Sequence, residues 1–195
     1  MSRMGKKYEF RPDKPRTSLL SKLYLTQKQR RALLKWCLYG LILLVLSVLQ
    51  DVVLCHLRIF GASTELVPCG IFLIFILEGI HTGSVFALVA SLIYLFSGTA
   101  PGAYAMVLLV VLAVLLCVFR QAYLQKDFSS VVLCTAAGML LYELSVFAMG
   151  LFLGLTTPGR IVGFCITALF SAVAVPVLYP IAVAIRSLGG EVWKE

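Results

Sequence analysis

The chain has 195 residues, of which 61% are hydrophobic and 13% charged, and its mean hydropathy is +0.97. This excludes a water-soluble domain, because too few polar residues remain to cover a core of that size. The net charge of +8 would also fit nucleic acid. We expect anionic membrane lipid as the counterpart and no nucleic-acid partner, because basic residues next to apolar segments gain about 1 kcal/mol each near an anionic leaflet.

The N-terminal part of the chain carries most of the positive charge. Eleven of the seventeen Lys and Arg residues precede the first long apolar run, and Lys28, Arg30, Arg31 and Lys35 lie next to it. We expect residues 1–31 to form a basic cytoplasmic tail, residues 32–187 a membrane domain and residues 188–195 a cytoplasmic C-terminal tail. Leucines within 18–25 fit either an amphipathic helix at the membrane interface or an extended tail.

Six apolar segments follow, separated by polar or Gly/Pro-rich breaks. They cover about 33–54, 65–80, 82–97, 103–124, 128–155 and 161–185. The predicted fold class is therefore all-α, a polytopic membrane bundle of about six transmembrane helices. The second and third segments are short, so a re-entrant hairpin is an alternative to two full spans there.

The distribution of charge predicts the orientation of these spans. Six crossings with the N-terminus inside leave fifteen Lys and Arg residues on the inner side, including Arg120 and Lys126, and only Arg58 and Arg160 outside. Basic residues are retained on the cytoplasmic side during insertion. Both termini are therefore expected to be cytoplasmic.

Small residues in the spans predict close helix contacts, because helices in lipid associate through packing at residues that let their backbones approach. Either packing within the bundle or a partner-binding face would explain them. The residues in question are Gly83 and Ala87 in the third span, Gly150 and Gly154 in the fifth, and Ala168 and Ala172 in the sixth.

Ionisable residues within the apolar segments are candidates for a polar pocket or a partner contact. Asp51 and Glu78 lie near the ends of spans and are expected to reach water. Glu143 lies near the middle of the fifth span, where a charge costs roughly 2.5–3.5 kcal/mol. It is either a working carboxylate or a neutral carboxyl that is hydrogen-bonded within the bundle, beside Tyr142 or Ser145 or to another helix.

Motifs for catalysis or metal binding are missing from the sequence. It contains no GxSxG, HExxH or P-loop, and His56 and His81 have no second ligand at metal spacing. The six cysteines are spread over the apolar segments and are interpreted as small buried hydrophobic residues. We therefore expect no enzyme activity, no cofactor and no metal.

The order of these features resembles the rod shape-determining protein MreD family. The residues that carry the resemblance are Gln50 at the end of the first span, Pro68 at the start of the second, Gly83 in the third, the 98–102 turn, and the Pro176 and Tyr179 pair in the last span. One position departs from the family pattern. Members commonly have an acidic residue where this chain has Tyr94.

The resemblance implies a non-enzymatic protein of the bacterial inner membrane. Such proteins associate with the bitopic protein MreC and help to organise the peptidoglycan synthase complex that elongates rod-shaped cells. On this interpretation Gln50, Asp51, Glu78 and Glu143 are candidate contacts to a partner or within a polar pocket.

The alternative is the substrate-binding subunit of an energy-coupling-factor vitamin transporter, a family with a similar six-span architecture. Those subunits commonly carry an Ala-x-x-x-Ala pattern in the first span. The first span of this chain has no alanine at 41–47, and its outer loops have few polar side chains for a vitamin. These differences favour the MreD-like interpretation.

Overall fold

The computed structural model describes residues 27–54, 64–98, 100–123 and 127–188. The tail at 1–16, the segment 18–25, the loops around Arg58 and Lys126, and the C-terminal tail lie outside these residues. All elements within them are helical, which confirms the all-α class. The α-helices are α1 (Gln27–Val48), α2 (Leu66–Glu78), α3 (Ile80–Phe96), α4 (Ala103–Tyr123), α5 (Phe128–Phe152), α6 (Ile161–Val173) and α7 (Val175–Leu188), and two short helical turns cover Leu49–Val53 and Pro158–Arg160.

Three helices are long and apolar enough to cross a membrane, namely α1 with its continuation, α4 and α5. The pair α6 and α7 makes a fourth crossing if the two helices, bent by 44°, count as one broken span. Helices α2 and α3 are apolar but shorter. The described residues thus have the helices of a multi-pass membrane protein, and the full count of six spans stays a prediction.

Helix α2 lies at the centre of the bundle. Twelve of its thirteen residues are buried, and it contacts each of the other six α-helices. A helix that is apolar on all sides belongs in such a position. Thirteen residues give a length of about 20 Å, which is less than the ~30 Å of the hydrocarbon layer. The backbone groups at both ends of α2 must therefore find partners within the protein.

Helices α2 and α3 form a tight hairpin around Gly79. The φ angle of Gly79 is 84°, a conformation that glycine adopts without strain. A Cβ atom on Gly83 would lie 3.1 Å from the carbonyl oxygen of Phe75 in α2. Gly83 therefore allows the two backbones to approach closely, and Ala87 is buried further along α3.

The last apolar segment is broken at Ala174. Pro176 has no N–H group and cannot donate the helical hydrogen bond to Ala172. The chain turns there through bonds from Val177 N and Leu178 N to the carbonyl oxygen of Ala174. Ala168 in α6 is buried and Ala172 is half-buried.

Gly150 and Gly154 belong to the turn that ends α5. The helix ends at Phe152, three residues before the predicted end of the span. Gly154 has a φ of 70°, and the carbonyl oxygen of Gly150 accepts N–H groups from Leu155 at 2.8 Å and Thr156 at 3.3 Å. Left-handed glycines with such back-bonding are common at helix C-termini. The spacing of these two glycines is thus explained by the local turn.

Candidate functional site: polar clusters and a groove around α2

The C-terminal end of α2 is fixed by a buried ion pair. Lys35 Nζ in α1 lies 2.6 Å from Glu78 Oε2, and the two side chains are 7% and 1% exposed. The hydroxyl of Tyr39 donates to Glu78 Oε1 at 2.8 Å and also lies 3.4 Å from the carbonyl oxygen of Ala182 in α7. This cluster ties three helices together, and we call this side of the bundle the Lys35 end.

Arg120 of α4 contributes to the same end. It is buried, and its Nη1 donates to the carbonyl oxygen of Ile76 at 2.6 Å. A cation at a helix C-terminus satisfies a free carbonyl and interacts favourably with the helix dipole.

Two sequence-based expectations about the Lys35 end need correction. The Glu78 side chain is buried and does not reach water. Its burial is possible because Lys35 supplies a counterion. The sequence predicts that Lys35 lies near anionic lipid together with Arg30 and Arg31, but its charge points into the bundle, whereas Arg30 and Arg31 are exposed. Sequence spacing cannot distinguish these roles, since the acid that pairs with Lys35 lies 43 residues away.

The N-terminal end of α2 is capped by side chains from other helices. Gln50 Oε1 accepts the N–H groups of Leu66 at 2.8 Å and Val67 at 3.1 Å. Glu65 N donates to Ser171 Oγ of α6 at 2.9 Å. Free N–H groups in the first helical turn require such acceptors. We call this side the Gln50 end.

A short π-helix, Leu49–Val53, continues α1 and carries Gln50 and Asp51. Gln50 is turned towards α2. Asp51 is exposed, and its Oδ2 accepts a hydrogen bond from Ser47 Oγ at 3.4 Å. The structure thus gives Gln50 a structural role and leaves Asp51 on the surface.

Four side chains near the Gln50 end form what we call the carboxyl cluster: Glu65, Tyr94, Tyr142 and Glu143. The hydroxyl of Tyr94 donates to Glu65 Oε2 at 3.3 Å and neighbours the Tyr142 side chain. Glu143 follows Tyr142 in α5. Glu143 is 2% exposed, and its Oε1 has no hydrogen-bond partner among the described residues.

Glu143, which the sequence places near the middle of the fifth span, is therefore buried in the bundle. Ser145 is not its hydrogen-bond partner, because Ser145 Oγ donates to the carbonyl oxygen of Leu141. The sequence also gave no reason to single out Glu65 as more than the start of a span. Tyr94, which stands where the resemblance leads one to expect an acid, contacts a carboxylate that comes from the start of α2.

A groove of about 720 Å³ lies between α1 and α3. Its walls are mostly apolar and include Gly40 from α1 and Val85 from α3. Val67 of α2 and Tyr94 of the carboxyl cluster also line it. At the Lys35 end the two walls meet at Trp36 and Phe86, whose ring centroids are 5.6 Å apart. Val85 is 66% exposed, so the groove opens towards the surroundings of the bundle.

The described residues contain no group of three or more His, Cys, Asp or Glu side chains that could hold a metal ion. The five cysteines in that part of the chain are free thiols. Fold and site together define an α-helical bundle with the properties of a multi-pass membrane protein. Comparisons with protein-family models, curated proteins and solved structures gave no match.

Proposed function

We propose that this protein is a non-enzymatic, multi-pass component of the bacterial cell-elongation machinery in the inner membrane. It would bind a bitopic MreC-like protein and thereby regulate the peptidoglycan synthase complex. Both termini would be cytoplasmic, with the Lys35 end of the bundle on that side and the basic tail near anionic lipid.

One observation carries the proposal. Three of the residues on which the MreD resemblance rests converge on α2. Gln50 caps its N-terminus, Pro68 lies in its first turn, and Gly83 packs against its backbone at Phe75. The three residues lie on three successive helical elements, and each has a role in placing α2, which supports the proposal that they are the residues that matter to this fold.

The use of the polar side chains supports a binding role. Lys35, Glu78 and Arg120 hold one end of α2 and Gln50 the other. Polar groups engaged in this way are not free to act on a substrate. A partner would therefore bind through the apolar outer surface of the bundle, as membrane helices do.

Co-purification tests this proposal. The protein, co-expressed with the MreC-like protein of the same bacterium, should be retained with it in mild detergent. Depletion should make rod-shaped cells widen or become round, without a change in vitamin uptake. Normal cell shape after depletion, or no retention of the MreC-like protein, would contradict the proposal.

The transporter subunit is the second candidate, and the carboxyl cluster favours it. A buried carboxyl oxygen with no described partner, that of Glu143, is a group that a polar ligand would satisfy. A coupling ATPase in the purified complex together with tight vitamin binding would establish this function instead.

A further inference from the structure

The carboxyl cluster brings oxygen atoms from three helices to the Gln50 end. Glu65 directly precedes α2, Tyr94 lies in α3, and Tyr142 and Glu143 lie in α5. The Tyr94 hydroxyl is 3.3 Å from Glu65 Oε2, which is longer than the distance of about 2.7–2.8 Å that is usual between two hydrogen-bonded oxygens. Tyr94 is therefore a weak donor to the Glu65 carboxyl.

Helix packing places Glu143 close to the depth of Glu65 in the bundle. Phe147, one turn along α5 from Glu143, contacts Phe164 of α6, with ring centroids 5.4 Å apart. Helices α5 and α6 are joined by a short connection and are antiparallel neighbours. Ser171, which accepts the Glu65 N–H at 2.9 Å, lies two turns along α6 from Phe164. Glu143 and Glu65 thus differ in depth by about one helical turn, ~5 Å.

Two oxygens of the cluster are withdrawn from water and have no partner in the part of the chain that the structure describes. They are the Tyr142 hydroxyl and Glu143 Oε1, from side chains that are 0% and 2% exposed. The Tyr142 ring packs against Phe72 of α2, with centroids 6.2 Å apart, and its side chain neighbours Tyr94. The unpartnered hydroxyl is therefore directed into the cluster. Buried polar atoms of this kind indicate a bound water or ion.

Charge distinguishes between these two occupants. The buried basic side chains of the described residues, Lys35 and Arg120, lie at the other end of α2, about 18 Å away along the helix. A carboxylate withdrawn from water without a counterion costs several kcal/mol. Water satisfies an oxygen atom but does not neutralise it, so the group that completes the cluster is positively charged.

Glu65 is the carboxyl that stays ionised. It flanks the N-terminus of α2, where the helix dipole stabilises a negative charge, and it is half-buried, whereas Glu143 is enclosed by the bundle. Glu143 is then neutral, and its Oε1 is an uncharged oxygen ligand. One carboxylate, one neutral carboxyl and two hydroxyls make an oxygen-only set with a single negative charge. Such a set complements a hard cation with a single positive charge.

We infer that the carboxyl cluster is a binding site for one monovalent metal cation of the size of Na⁺, held between α2, α3 and α5. The ion enters past the half-buried Glu65 at the Gln50 end. Its binding ties the start of α2 to the two neighbouring helices. The site rests on the cluster alone and is independent of which of the two proposed functions holds.

Sodium titration of the purified protein in detergent tests the site. The unfolding temperature should rise and then saturate with NaCl, but not with choline chloride at equal ionic strength, because a ligand that binds only the folded state stabilises it. Binding of radioactive Na⁺ should saturate at one ion per chain. Equal stabilisation by both salts would reveal an effect of ionic strength alone and overturn the site. Stability that responds to pH but not to Na⁺ would overturn it too, in favour of proton binding only.

Two carboxylate variants at the Gln50 end form a matched pair. Glu65→Gln keeps the shape but removes the charge, and should weaken Na⁺ binding about tenfold or more. In choline chloride this variant should be at least as stable as the wild type, because it no longer buries an unpaired carboxylate. Asp51→Asn changes an exposed carboxylate and should bind Na⁺ as the wild type does. Equal binding by the two variants, or a lower stability of the Glu65 variant in choline chloride, would overturn the site.

The Tyr142 hydroxyl is tested separately. Tyr142→Phe removes one oxygen ligand and keeps the ring contact with Phe72, so Na⁺ affinity should fall about three- to tenfold. Ser145→Ala is the control, because the Ser145 hydroxyl is engaged with the Leu141 carbonyl oxygen of its own helix. Unchanged affinity in the Tyr142 variant would contradict an ion held between α3 and α5.

Discussion

Lys35 and Glu78 form an ion pair that joins the N-terminal half of α1 to the last residue of α2, with Nζ and Oε2 2.6 Å apart. Both side chains are withdrawn from water, so each charge depends on the other. Removing one partner of such a pair leaves an uncompensated buried charge, at a cost of about 3–5 kcal/mol, whereas replacing both by apolar residues is often close to neutral.

We therefore predict that Lys35→Met lowers the free energy of unfolding by about 3–5 kcal/mol, and that the double variant Lys35→Met/Glu78→Leu recovers most of the loss. Thermal unfolding in detergent measures both. Arg31→Met is the control, because Arg31 is exposed on the same helix and should change stability little. Similar losses for the Lys35 and Arg31 variants would show that the pair is not buried.

Gln50 provides the second prediction. Gln50→Leu removes the acceptor of two N–H groups at the start of α2, and unsatisfied buried donors cost about 1–3 kcal/mol. Asp51→Leu, at the exposed neighbouring position, should have little effect. Stability in detergent should distinguish the two variants, and equal effects would argue against the cap.

The third prediction compares two helical glycines. Gly83→Ala places a methyl group 3.1 Å from the Phe75 carbonyl oxygen, which forces α2 and α3 apart at a cost of about 1–3 kcal/mol. Gly163→Ala meets open space and should be neutral or slightly stabilising, because alanine is a better helix former than glycine. Unfolding temperatures of the two variants should therefore shift in opposite directions or differ clearly in size.

The sequence was sufficient for the outline of the fold but not for its centre. The apolar segments and Gly/Pro breaks predicted both ends of helices α3 and α4 to within about two residues. Helix α1 begins six residues earlier than the predicted span, because Arg30 and Arg31 are good helix formers outside the apolar run. Hydropathy marks where a chain can enter lipid, not where a helix begins.

The polar contacts around α2 could not be predicted in the same way. Each contact joins residues from different parts of the bundle, so it depends on how the helices pack. The pairs are Lys35 with Glu78, Gln50 with Leu66, and Glu65 with Ser171. The sequence did single out Glu143 as a costly residue within a span, since that cost depends on position alone.

Glu143 is the subject of the fourth prediction. Glu143→Gln keeps the shape and hydrogen-bonding capacity of a neutral carboxyl and should preserve the amount of protein in the membrane and its retention of the MreC-like protein. Glu143→Lys imposes a buried cation and should prevent accumulation of the folded protein. A Gln variant that is present at normal levels but does not bind the partner would indicate a charged, working carboxylate.

Topology is the most direct test of six crossings around a buried α2. Single cysteines at positions 58, 126 and 160, in a background without the native cysteines, are exposed to an impermeant thiol reagent in cells with a permeable outer boundary. Six spans with a cytoplasmic N-terminus predict labelling at 58 and 160 and none at 126. They also predict that a cysteine at position 81, at the exposed start of α3, reacts in inverted membrane vesicles, whereas a re-entrant hairpin would leave it unreactive from both sides. Labelling at 126, or protection of 58, would contradict the six-span bundle.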